Sequence, residues 1–146
     1  MVVGVVIAII VLIAIYVLVQ YNSFVKLNNR VREAFSTMDV YLKKRWDLIP
    51  NIVETVKDYA KHESQVLEDI VKLRNSSYDK MSLSDKIETN QQLSGELSKI
   101  MAVAESYPDL KASQNYSDLI NQLSKIEDEI ANSRKYYNAV VRNLNT

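Results

Sequence analysis

The chain opens on 18 residues, Val2 to Val19, that hold no charge, no proline and no strongly polar side chain. As a helix this run is about 27 Å long, close to the hydrocarbon thickness of about 30 Å. Beyond Asn22 the pattern changes to one apolar position every three or four residues. Phe24, Leu27, Val31, Ala34, Phe35, Met38, Leu42, Trp46 and Ile49 form one helix face, continuous with the apolar run. Ile52, Val53, Val56, Tyr59, Ala60, Leu67, Ile70 and Val71 form a second. Pro50 lies between the two. Proline is tolerated in the first turn of a helix and pushes the preceding residue out of the helical region, so a new helix with Asp47 as its N-cap is the simpler reading; a kinked continuous helix is the alternative.

The stretch from Asn75 to Ser84 is polar and aperiodic and reads as a loop, with Ser82 and Asp85 spaced as a capping box for a third helix. That helix carries Ile87, Leu93, Leu97, Ile100, Met101 and Ala104, and it ends before the turn sequence Ser106-Tyr107-Pro108-Asp109. In the fourth, Tyr116, Leu119, Leu123, Ile126, Ile130, Ser133, Tyr137, Val140 and Leu144 step by three and four without interruption. The pattern predicts an all-α fold: a transmembrane anchor over 1–21, then an antiparallel four-helix bundle of long helices over 22–146.

Tyr16 and Tyr21 stand where rings rest at headgroup level, and Lys26, Arg30 and Arg32 follow. Positive charge on that side alone predicts an outward N-terminus, a cytoplasmic bundle and residence in the inner (cell) membrane, with the lipid bilayer as first partner. A cleaved signal would want a basic leader, a shorter apolar core and small residues at the cut, whereas the flank here is Val17-Leu18-Val19-Gln20-Tyr21. A pilin-like helix would want an acid within the apolar run. If the first hairpin turns after Trp46, about 25 residues raise its tip roughly 37 Å above the bilayer. Lys43, Lys44 and Arg45 would then lie several Debye lengths from lipid, while the returning fourth helix would bring Tyr136 and Tyr137 to the interface.

Glycine and proline number two each, too few for a turn-rich β fold. Lys plus Arg (18) balances Asp plus Glu (18), which removes the basic field that nucleic-acid binding depends on. With no cysteine there is neither a disulfide nor a thiolate ligand. His62 is the single histidine and stands three residues after Tyr59, so the paired Glu-x-x-His motif of di-iron bundles is missing. Gly4 and Gly95 make no phosphate loop. No catalytic residue, cofactor or metal is expected. Gly95 suits close helix packing better than a ligand site, and Asn28, Asn29 and Asn51 are candidates for register-setting hydrogen bonds or for water-facing positions. Lys43, Lys44, Arg45 and Trp46 together have the aromatic and basic character of a partner surface; the plainer reading is a tryptophan closing the core beside solvated charges.

Tyr21-Asn22, Asn29-Arg30-Val31, Met38-Asp39-Val40, Leu48-Ile49-Pro50-Asn51, Leu93-Ser94-Gly95 and Tyr107-Pro108-Asp109-Leu110-Lys111-Ala112 occur in this order along nearly the whole chain. In these strings the chain resembles the LemA family. The resemblance implies a bacterial single-pass protein with a bundle of long helices. Its relatives have no settled biochemical activity; one takes part in building the magnetosome organelle and others are linked to membrane peptidases. Family members typically continue for some tens of residues, through a Phe-Pro motif, beyond the point matching Asn145-Thr146.

Two functions fit. One is a membrane-tethered scaffold or interaction protein that acts through a protein partner or as a homo-oligomer, the small pair Gly4 and Ala8 favouring helix contact in the membrane. The other is a regulatory or adaptor subunit of a membrane enzyme such as a peptidase.

Overall fold

The computed structural model describes residues 2–144; Met1, Asn145 and Thr146 lie outside the described residues. Every element among the described residues is helical: α1 Val2–Tyr59, α2 Ser64–Leu73, a 3-10 turn Tyr78–Lys80, α3 Leu83–Glu105, α4 Pro108–Lys111 and α5 Gln114–Leu144. The chain divides into two compact units, Asp39–Ala131 and Met1–Met38 with Asn132–Thr146.

Within Asp39–Ala131, cross-links fix the direction of each helix. Arg45 meets Glu127 while Thr55 meets Asn115, so α1 and α5 run antiparallel. Asp39 meets Lys86 and Arg45 meets Ser94, so α1 and α3 run parallel. The chain reverses at 60–63, and Arg74, just past α2, lies back over Trp46. These relations make an up-down-up-down bundle. Its core draws on Leu42, Ile49, Ile52 and Val56 of α1, Leu67 and Ile70 of α2, Leu93, Leu97 and Ile100 of α3, and Leu119, Leu123 and Ile130 of α5.

The break expected near Pro50 is absent: Pro50 sits inside α1, exposed, and the first hairpin turns after Tyr59. Leu42, Trp46, Ile49, Ile52, Val56 and Ala60 are all buried and step by four, three, three, four and four. This stripe never loses phase across the proline. An interior proline costs about 3 kcal/mol, whereas burying one large apolar side chain is worth about 1.5–3 kcal/mol, so keeping the stripe on one core outweighs the lost backbone bond. The boundaries of α3 follow the sequence more closely. Ser82 accepts a bond from the Asp85 backbone N–H, whose carboxylate accepts in turn from the Ser82 N–H. Pro108 occupies the first turn of α4, where its missing N–H costs nothing.

In the other unit the side chains at Ala34, Met38, Ser133 and Val140 are buried, and Phe35 meets Tyr137 edge-on at 6.1 Å. Toward the N-terminus exposure rises, through Phe24 and Tyr21 into the apolar run. None of the most apolar 18-residue window of α1 is buried, and it is long enough to cross a membrane.

Candidate functional site

The structure separates the four residues read as a partner surface. Lys44 is exposed and Lys43 half-buried, but Arg45 is 1% and Trp46 4% exposed. With the turn at 60–63, the segment is the middle of a packed helix and not a tip; Trp46 packs into the core as the plainer reading had it, while Arg45 was left among the solvated charges because the basic run hid its phase. Position 45 stands three after Leu42 and four before Ile49, on the inward face.

All five N–H groups of Arg45 are used. Nε donates to Asn90 Oδ1 at 3.1 Å, Nη1 to Ser94 Oγ at 2.8 Å and to Glu127 Oε1 at 2.6 Å, and Nη2 to Asn90 Oδ1 at 2.7 Å and to the Asn90 carbonyl. Asn90, fully buried, donates its own amide to the Lys86 carbonyl at 2.8 Å. One guanidinium thus ties α1 to α3 and α5. A planar fork of five donors can do this and an ammonium cannot. Asn90 had no place in the sequence reading, yet it falls midway between Ile87 and Leu93, a polar gap at helical spacing in an otherwise apolar face.

Beside this node lies a second. Tyr78, from the loop before α3, is buried; its hydroxyl donates to Asp39 Oδ1 at 2.6 Å, and Lys86 pairs with Asp39 Oδ2 at 2.8 Å. The Tyr78 ring packs on Trp46 at 5.3 Å, with the Lys86 ammonium 4.6 Å from its centroid. Burial, then the hydrogen bond to Asp39, pushes the Tyr78 phenol far above its ordinary value. Arg74 lies over Trp46 at 5.2 Å, its Nε without a hydrogen-bond partner among the described residues; burial lowers its pKa against the opposing pull of Asp47. Lys43 pairs with Asp47 at 2.8 Å, and Lys44 lies over the Tyr41 ring at 5.2 Å.

The tyrosines expected at the membrane interface also part company. Tyr16 and Tyr21 are exposed on the apolar end of α1, and Tyr16 accepts a bond from Gln20 at 2.9 Å. Tyr137 is half-buried against Phe35, 14 residues and so about 21 Å along α1 from Tyr21. That exceeds the headgroup layer, roughly 5–8 Å on each side. The count that brought Tyr136 and Tyr137 to the interface assumed a tip at Trp46, and the turn lies instead after Tyr59. Gly95 is corrected too, since a Cβ there meets nothing within 4 Å and close packing does not require it. Asn28, Asn29 and Asn51 face water.

Among the described residues no three His, Cys, Asp or Glu side chains gather, and His62 is exposed. Two apolar grooves lie between neighbouring helices. One, of about 550 Å³, runs between α1 and α2 over Val53, Leu67 and Val71, with Lys57, Lys61, Glu68 and Lys72 along its rim. A second, of about 410 Å³, lies between α3 and α5 over Leu97, Met101, Ile120 and Leu123.

A family model described as the LemA family matches residues 34–146. Protein LemA of Metamycoplasma hominis is 27% identical over 129 residues, covering 86% of this chain and 58% of that protein. Magnetosome protein MamQ 2 of Paramagnetospirillum magneticum is 24% identical, and Magnetosome protein MamQ of Magnetospirillum gryphiswaldense 22%, each over 88% of this chain and 57% of the relative. The chain therefore spans less than three-fifths of the length of these curated relatives. Its apolar helix, its helical bundle and a family match over most of its length agree: this chain belongs to the LemA family.

Proposed function

We propose that the chain is a membrane-tethered helical interaction protein that acts by presenting bundle faces to a partner, with no catalysis of its own. The apolar end of α1 is the tether, and Lys26, Arg30 and Arg32 hold the bundle on the cytoplasmic side of the cell membrane. The observation that carries the reading is the use made of the buried charge. The Arg45 guanidinium gives every donor to Asn90, Ser94 and Glu127, so the polar centre of the bundle serves to lock helices together. What is left for a partner is groove and helix face.

The partner is either another copy or a second protein, and an adaptor role at a membrane enzyme is the form the second takes. Gly4 and Ala8, both exposed on α1, would serve the first. The test is crosslinking of the full chain in its own cells, purification in mild detergent and light scattering with mass spectrometry. A complex of fixed stoichiometry is expected. A chain recovered alone and monomeric with every crosslinker length would overturn the proposal.

A further inference from the structure

Along the outer face where α1 turns into α2, two helical stripes lie side by side. The first holds Val53 and Lys57 on α1, with Lys61 in the turn just past its end, and the second Leu67 and Val71 on α2. The floor is apolar: Leu67 is buried, Val53 half-buried and Val71 47% exposed. The rim is basic. Among the described residues neither Lys57 nor Lys61 has a carboxylate partner, whereas Lys72 lies 3.4 Å from Asp69 and 3.9 Å from Glu68.

We propose that this groove is the docking site for an acidic amphipathic helix of a partner protein, an inference that rests on the interaction role above and names its chemistry. The ridge of such a helix places apolar side chains at i, i+3, i+4 and i+7 into a groove between two helices, and its flanking carboxylates would meet Lys57 and Lys61. The volume of about 550 Å³ suits a cluster of a few side chains. Charge decides against the other occupants. A second copy applied through the same groove would set lysine against lysine. A bilayer is flat and takes up convex apolar ridges, whereas these apolar side chains line a groove between two helices.

The probe is a synthetic helical peptide of about 18 residues with leucine at i, i+3, i+4 and i+7 and glutamate beside them, paired with a version carrying lysine for glutamate. Each is titrated against the full chain in zwitterionic nanodiscs, with empty nanodiscs as blank. The acidic peptide is expected to bind, and its Kd to rise about tenfold in Lys57→Glu/Lys61→Glu. The same double variant is expected to bind the basic peptide better than the unaltered chain does, a gain that a misfolded variant would not show. Equal binding of both peptides, an unchanged Kd in the variant, or binding no stronger than to empty nanodiscs would overturn the proposal. So would anionic vesicles that adhere through Lys57 and Lys61 and displace the peptide. If the double variant is still recovered in its cellular complex while the peptide fails to bind, the groove is wrong and the interaction role stands; if no complex forms with any variant, the interaction role itself falls.

Discussion

At the scale of single residues, the bundle turns on a charge that its composition disguises. Lys43-Lys44-Arg45 reads as one solvated run, yet the third member lies inward with Leu42 and Ile49 and the first two do not. Helical phase alone would have found it, and the polar gap at Asn90 would have found its acceptor. The two partners of Arg45 carry unequal weight. Asn90 is fully buried and accepts twice through Oδ1, whereas the Glu127 side chain is 39% exposed and water can replace part of what it does. Asn90→Ala is therefore expected to destabilise the protein by about 2–3 kcal/mol, as befits lost hydrogen bonds to a buried ion. Glu127→Gln, whose amide oxygen still accepts from Nη1, should cost under about 1 kcal/mol. Denaturant melts of the two variants check this, and equal losses would mean that neutralisation by Glu127 matters as much as the donors' geometry. Tyr78 sets a second residue-scale expectation. Its pKa is raised in the fold, so above the phenol's ordinary value near 10 the unfolded chain sheds a proton that the native state retains. The unfolded state then binds fewer protons, and stability falls as pH rises through that region, being fully present below it. Tyr78→Phe should flatten the alkaline limb of a Tm-against-pH curve; an unchanged limb would assign the loss to other groups.

At the scale of elements, periodicity was a better guide than punctuation. The α5 seam, with Tyr116, Leu119, Leu123, Ile130, Ser133 and Val140 buried, is where the three-and-four stepping placed it, and the Ser82–Asp85 capping box forms. Pro50 misled because proline is a local signal and the stripe it interrupts is a long one. The loop from 75 to 84 hid Tyr78 for the opposite reason, since an aperiodic stretch says nothing about which of its side chains turns inward. Both helix-interior departures from propensity invite a test. Gly95 lies exposed in α3 with open space at its absent Cβ, so Gly95→Ala should stabilise by about 1 kcal/mol. Pro50→Ala restores an N–H for the Trp46 carbonyl on an exposed face and should stabilise by up to about 3 kcal/mol. Thermal melts in one detergent check both, and a lower Tm for Gly95→Ala would reinstate a packing role that the structure denies it.

At the scale of the whole molecule, the apolar run was legible because length and composition alone mark a helix apolar enough to cross a membrane. Its direction is a separate question, on which the flank that holds the cations sets an expectation. Lys26, Arg30 and Arg32 are exposed and stand within about 15 residues of the end of the apolar run, inside the range where Lys and Arg govern orientation. They predict that the N-terminal end of α1 faces outward and the bundle inward. The absence of cysteine makes this direct to measure, because one introduced thiol is the only one present. Val2→Cys and Ser36→Cys, both at exposed positions, are treated in intact cells with a membrane-impermeant maleimide. The first should label at once and the second only after the membrane is opened. The reverse pattern would put the bundle, and with it the lysine-rimmed groove between α1 and α2, outside the cytoplasm, and its partner would have to be sought there. Immediate labelling of both would mean that the apolar helix does not span the bilayer, leaving Tyr16, Tyr21 and the residues around them to hold the chain at a surface.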